Sequence, residues 1–268
     1  MTEHQQLLAL AESTAVEAGE LIARGRRGTV EVAQTKSSPT DVVTAVDMAS
    51  EELIRRRIGE SRPADGFVGE EGDDTVGSSG VTWVADPIDG TVNYLYDIPQ
   101  FAVSLAARVD GEVAIGVVHN PTSGETFTAV RGEGAWCKGG RIAPSDCVDV
   151  SRALVGTGYG YRADMRKAQA AEIAQLLPQV RDIRRFGSAA LDLCFCACGR
   201  LDAYVERGLQ SWDLAAGGLI AEEAGVRVEG LHGEPAGERL VVAAPARLFD
   251  AMHAQLVAAG FAEWPLPV

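Results

Sequence analysis

Small and apolar residues recur at helical spacing near the N-terminus, at Leu7, Ala11, Thr14, Ala15, Ala18, Leu21 and Ile22, and predict an amphipathic helix from Glu3 to about Arg24. A second helix is expected from Ala45 to Ile58, with Thr44 as N-cap and Asp47 three residues on as its capping-box partner. The period then changes. Gly66 to Gly69 and Val81 to Ala85 read as short buried strands, and Phe101 to Val109 with Val113 to His119 as a hairpin about Asp110-Gly111. From Ala153 onward, strand-like segments (Leu154-Val155, Val180 to Arg184, Leu201 to Val205, Arg239 to Ala244) alternate with helical ones (Ala163 to Leu177, Ser188 to Cys198, Trp212 to Ala224, Leu248 to Ala259). Mixed sheets layered with helices follow from that alternation. No repeat or long linker divides the chain. It reads as one unit over residues 1–268, with a subdivision near Asp149 into 1–149 and 150–268 as the alternative.

Composition changes this picture little, but charge narrows the partners. Hydrophobic residues make up 46% and charged residues 23%, enough apolar side chains for a self-sufficient core. The formal charge of −14 would repel a nucleic-acid backbone, whose affinity comes mainly from basic residues, so nucleic acid is not expected as the main partner. No apolar run approaches the ~20 residues of a membrane span, and Met1 to Gly19 lacks a basic segment followed by an apolar core. A cytoplasmic protein without a membrane partner is expected.

The residue types present also narrow the chemistry. Cys137, Cys147, Cys194, Cys196 and Cys198 are odd in number and lack paired CxxC spacing, which fits neither a disulfide framework nor a zinc site. His4, His119, His232 and His253 form no HExxH pattern, and Gly187-Ser188-Ala189 lacks the second glycine of a GxSxG elbow. Metal chemistry in this chain must therefore run on oxygen ligands.

Acids gather where predicted strands end, as Glu70-Glu71 and as Asp86-Pro87-Ile88-Asp89. Carboxylates brought together repel one another unless a cation neutralises them, and oxygen-only ligands favour Mg²⁺, then Ca²⁺ or Mn²⁺. In Asp86-Pro87-Ile88-Asp89-Gly90-Thr91, the two aspartates and the Ile88 carbonyl can converge on one or two ions. Gly90 and Thr91 offer backbone N–H groups to a phosphate oxygen if a helical turn begins there. The pattern predicts phosphate hydrolysis. The plainer reading is a Gly/Pro turn with solvated acids, and Asp47 and Asp213 taken singly read as helix caps.

Taken together the motifs resemble the inositol monophosphatase family over nearly the whole chain. They are, in order, residues 36–47 from Lys36 to Asp47, Gly69-Glu70-Glu71-Gly72, Trp83 to Asn93, and Trp212 to Gly217. Asn120 to Glu125 and Gly132 to Trp136 are similar to the family's connecting hairpin, and Gly187-Ser188-Ala189-Ala190 to its substrate-side turn. The resemblance implies a layered α-β-α-β-α sandwich, a homodimer, and a Mg²⁺ site of two to three ions that Mn²⁺ can serve and Li⁺ and Ca²⁺ inhibit. It implies that Glu70, Asp86 and the Ile88 carbonyl hold a first ion and Asp86, Asp89 and Asp213 a second, with a third reached by Glu70 through water. Glu70 and Thr91, the latter oriented by Asp47, would position the attacking water. Asp89, Gly90, Thr91, Gly187, Ser188, Ala189, Glu206 and Asp213 would face the substrate, a small sugar or polyol phosphate. The stretch Gly187 to Gly208 favours myo-inositol 1-phosphate. Histidinol phosphate, fructose 1,6-bisphosphate and 3′-phosphoadenosine 5′-phosphate are the alternatives within the family, and a regulatory binding protein or a Ca²⁺ module the alternatives outside its chemistry.

Overall fold

The structure, a computed structural model, describes residues 2–26, 32–36 and 42–261. Residues 37–41 of the first motif lie outside the described residues. The first half contains α1 (Glu3–Gly25), β1 (Val32–Thr35), β2 (Val42–Thr44), α2 (Ala45–Ser61), β3 (Gly66–Gly69), β4 (Val81–Asp89), α3 (Thr91–Leu95), β5 (Ala102–Val109), β6 (Glu112–Asn120), β7 (Glu125–Val130), β8 (Gly134–Cys137) and β9 (Gly140–Arg141). The second half contains β10 (Leu154–Thr157), α4 (Ala163–Leu176), β11 (Asp182–Arg184), α5 (Ala189–Ala197), β12 (Ala203–Glu206), α6 (Ser211–Ala224), β13 (Val226–Glu229), β14 (Val241–Pro245) and α7 (Ala246–Ala258).

Strands β3 to β9 form a seven-stranded sheet in sequence order, parallel only between β3 and β4. A five-stranded mixed sheet has the order β11-β10-β12-β14-β13. The β5–β6 turn carries Asp110 and Gly111 at φ 51° and 91°, the positive pair that a two-residue hairpin of matching twist needs. Alternation along β5 sends Val103, Leu105 and Ala107 to one face and Ala102 and Ala106 to the other.

The first face packs on α1 and α2 through Leu7, Ile22 and Ile54. The opposite face packs on α5 and α6, which also cover Tyr204, Val241 and Ala243 of the five-stranded sheet. That sheet's far side, with Val155, Val205 and Val242, is covered by α4 and α7 through Leu176, Leu248 and Phe249. The result is the expected five-layer α-β-α-β-α sandwich, with α5 and α6 from the second half packed against the first half's sheet.

Strands β1, β2 and β9 were not expected, β7 and β8 only as the connecting hairpin of the resemblance, and two further details depart from the pattern read along the chain. Strand β4 continues past Ala85 to Asp89, where a loop was expected. Its pairing with β5 passes from Asp86↔Ser104 to Asp89↔Ala102, three residues against two, so one extra residue is inserted as a bulge. Pro87 sits inside that bulge, where its missing N–H breaks no ladder bond. The strand Val226–Glu229 was not anticipated at all; its residues become strand by pairing with β14.

Candidate active site

The site is assembled from the ends of seven elements, β3, β4, β12, α2, α3, α5 and α6. In a regular strand, residues three apart point to opposite faces. The bulge in β4 adds one residue between Asp86 and Asp89 and turns both carboxylates to the same side. Asp86 is 2% exposed and accepts the Ile88 N–H at 3.0 Å, which pins the bulge. Asp213, in the first turn of α6, accepts the Gln210 N–H at 2.6 Å, and Ser104 on β5 donates to the Trp212 carbonyl at 3.1 Å. Asp86, Asp89 and Asp213 each offer an oxygen to a cluster within 4.8 Å.

Helix α2 supplies Asp47, whose two oxygens divide their work. Oδ2 accepts the Thr44 N–H at 2.9 Å and the Thr44 hydroxyl, closing the capping box, while Oδ1 is 2.9 Å from the Thr91 hydroxyl. Thr91 also lies 3.0 Å from the Ile88 carbonyl, and with a single proton it donates to one of these acceptors at a time. The expected helical turn after Asp89 is present as α3, entered through Gly90 at φ 103°.

Asp89 is anchored by the N-terminus of α5: its carboxylate accepts the Ser188 hydroxyl at 2.6 Å and the Ala190 and Ala189 N–H groups at 2.7 and 3.2 Å. The Ser188 hydroxyl and Ala189 N–H, assigned to the substrate by resemblance, are thus engaged with Asp89. Asn93 ties the same turn down, its Nδ2 donating to the Phe186 carbonyl at 2.6 Å and the Gln100 carbonyl at 2.7 Å. Gly187 sits at φ 89°, a conformation that favours glycine, and a Cβ there would also come 2.3 Å from Arg185 Nη1 and displace that side chain.

Glu70 lies beside Asp86 but outside the tight trio. Its Oε1 is 2.8 Å from Lys36 Nζ, which also reaches Glu71 at 2.7 Å. Glu206 stands at the end of β12, its carboxylate accepting the Tyr204 hydroxyl.

Burial, then the neighbouring Glu70, Asp89 and Asp213, push Asp86 well above the carboxylate range. Asp213 is raised likewise by burial and Asp89. Asp89 is raised by burial to about 6, held back by its three donors. Glu206 is raised by burial to about 7, against the Tyr204 hydroxyl and Arg185. Asp47 is raised by burial despite the donors from Thr44 and Thr91. Burial lowers Lys36, yet Glu70 and Glu71 outweigh it and the ammonium is held firmly charged. The strongest influences on Asp86 besides burial are all acids, and such a set is relieved by a divalent cation. The donor set, carboxylate oxygens only, fits Mg²⁺ or Mn²⁺.

Sequence reasoning did not single out Lys36, Asn93, Tyr204 or Asp192. Lys36 stood in the first motif without a role. Asp192, buried on α5, has an oxygen with no hydrogen-bond partner among the described residues and is raised by burial and by Glu206. Nothing in its local sequence marks it, because its neighbours come from a strand and a turn distant in the chain.

The sequence model of the inositol monophosphatase family matches residues 3–260. The chain is 46% identical over 273 residues to the inositol-1-monophosphatase of Mycobacterium leprae, covering 94% of each. It is 41% identical over 244 residues to the Nus factor SuhB of Pasteurella multocida, covering 89% of this chain and 91% of that one. The solved structure of Mycobacterium tuberculosis SuhB superposes with a TM-score of 0.83 at 40% identity, covering 98% of this chain and 100% of the other. With the acid trio, the capped Thr91–Asp47 pair and the layered fold all in place, the chain belongs to the inositol monophosphatase family.

Proposed function

We propose that the protein is a Mg²⁺-dependent phosphomonoesterase that hydrolyses a small polyol phosphate, with myo-inositol 1-phosphate as the preferred substrate. The observation that carries the reading is the convergence of Asp86, Asp89 and Asp213 within 4.8 Å in a buried, acid-dominated setting. Asp86, Asp89, Asp213, the Ile88 carbonyl and, beside them, Glu70 would hold the divalent ions. Bound there, such ions supply Lewis acidity, making water easier to deprotonate and offsetting charge on the phosphoryl oxygens.

The chain's own residues do the rest. When Thr91 donates its proton to Asp47, its oxygen is left as an acceptor, able to orient a water by taking a hydrogen bond from it. Glu70, held by Lys36 at 2.8 Å, faces the same region as a second acceptor. On the leaving-group side Glu206, with one oxygen engaged by the Tyr204 hydroxyl, would accept from a substrate hydroxyl. Acceptors suit a hydroxyl-rich ring, and Arg185 stands near enough to Glu206 and Asp192 to offset part of their charge. The enzyme acts in the cytoplasm as a homodimer in this reading.

The test is phosphate release at millimolar Mg²⁺ from inositol 1-phosphate, fructose 1,6-bisphosphate, histidinol phosphate and 3′-phosphoadenosine 5′-phosphate, compared by kcat/KM. The highest kcat/KM is expected for inositol 1-phosphate. A different leader reassigns the substrate. Silence across the panel overturns the enzyme reading in favour of a regulatory binding role, the direction in which the name Nus factor for a relative points.

A further inference from the structure

Helix α2 presents Asp47, Ser50 and Glu51 at positions i, i+3 and i+4, one face of a helix, and all three are buried. Each reaches a different part of the site. Asp47 holds Thr91 at 2.9 Å, and Ser50 donates to the Pro87 carbonyl inside the β4 bulge at 3.3 Å. Glu51 turns the other way, to the segment that follows β3: its Oε2 accepts the Glu71 N–H at 2.8 Å, directly after Glu70.

The Glu51 carboxylate fills the inside of that turn. A Cβ on Gly69 would lie 2.6 Å from Glu51 Oε2, and one on Gly72 2.9 Å from Oε1, so the two glycines let the carboxylate pack directly against the turn. Oε1 accepts from Arg55 Nε at 2.8 Å, and the Arg55 guanidinium lies 4.2 Å from the centroid of Phe67, on the strand that leads into Glu70. A buried carboxylate is costly unless paired and hydrogen-bonded, and Glu51 is both. It is not a member of the acid trio.

We propose that Glu51, backed by Arg55, is a positioning residue that sets Glu70 at a fixed distance from the Asp86–Asp89 bulge. Helix α2 thereby acts as a common template for the two segments that hold divalent ions. This rests on the reading of Glu70 as a metal ligand. Outer-shell groups that orient ligands change metal affinity by about 10–100-fold when removed, and the same range applies to Glu51.

Mg²⁺ binding to the metal-free full chain, measured by calorimetry, tests the proposal without depending on turnover. Glu51→Ala is expected to weaken binding about 10–100-fold, and Glu51→Gln, which keeps an acceptor for the Glu71 N–H, to recover most of it. KM for the phosphomonoester at saturating Mg²⁺ should stay unchanged. In a Glu70→Ala background Glu51→Ala should weaken binding no further, a coupling that general destabilisation would not produce. Wild-type affinity in Glu51→Ala, or full additivity with Glu70→Ala, overturns the proposal alone. If Glu51→Ala does not fold, Arg55→Met carries the test, expected to weaken binding several-fold while Glu51→Gln stays close to wild type; unchanged affinity in Arg55→Met overturns it. A wild-type chain that binds no Mg²⁺ overturns the proposed function, and this inference with it.

Discussion

At the scale of single residues, Asp86 concentrates the conflict between folding and chemistry. It is 2% exposed, and its three strongest charged neighbours are Glu70, Asp89 and Asp213, so the metal-free chain carries repulsion that ion binding would remove. Asp86→Asn keeps the shape, and its carboxamide can still take the Ile88 N–H, but it deletes a charge. We expect kcat to fall about 10³-fold, the loss of several kcal/mol of charge stabilisation at about 1.4 kcal/mol per tenfold. The melting temperature in EDTA should hold or rise. Near-normal turnover, or a markedly lower melting temperature in EDTA, would contradict the reading. Asp47 shows what local sequence can reveal: its capping role follows from Thr44 three positions earlier, a local rule, and it appears as expected. Its second bond, to Thr91 forty-four positions later, is visible only once both elements are packed.

At the scale of elements, α6 delivers Asp213 and is held from two sides at backbone distance. A Cβ on Gly116 of β6 would lie 2.8 Å from the Ala216 carbonyl oxygen, and one on Gly217 would lie 3.0 Å from the Ala190 carbonyl oxygen on α5. The run Ala215-Ala216-Gly217-Gly218 is small because the helix lies between a sheet and another helix. Gly116→Val should therefore push α6 away from β6. The expected cost is about 1–3 kcal/mol of stability from overpacking, read by denaturant unfolding. Loss of kcat is expected beyond what the unfolded fraction explains, because Asp213 moves with its helix. Most helices and strands were legible from periodicity, since burial on one face imposes it. Strand β13 was not, as Val226–Glu229 is short and carries two charged residues, and its pairing with β14 determines its state.

For the whole molecule, pH separates two kinds of buried acid. Glu125 is lowered to about 2 by the Arg200 guanidinium, with Lys138 adding to it, so its contribution is present above the unfolded carboxylate value of about 4.3 and fades as pH falls toward 2. The trio behaves in the opposite sense. Asp89 is raised to about 6, and Asp86 and Asp213 are raised well above their usual range. In these positions the folded state holds protons that the unfolded chain has released, so stability is lost as pH rises from about 3.9 through 6 and beyond. In EDTA the melting temperature should therefore decline from about pH 5 to pH 7, and millimolar Mg²⁺ should reverse the decline by binding the folded state. A melting temperature at pH 7 indifferent to Mg²⁺ would contradict the site. Scanning fluorimetry across pH with and without Mg²⁺ reads both limbs.

Periodicity and capping rules were properties of the chain alone, because each depends on residues within one or two turns of each other, and so were the acidic motifs, each a short run read in its order along the chain. They determined the helices, the layered class and the short list of acids. The sequence suggested that Asp86 and Asp89 converge, but not the bulge against β5 by which they come to share a side. Nor could it state that Lys36 closes on Glu70, that Asp89 caps α5, or that Glu51 fills the turn after β3. Those contacts join residues 20 to 101 positions apart, and only packing the layers against one another brings such residues within hydrogen-bonding distance.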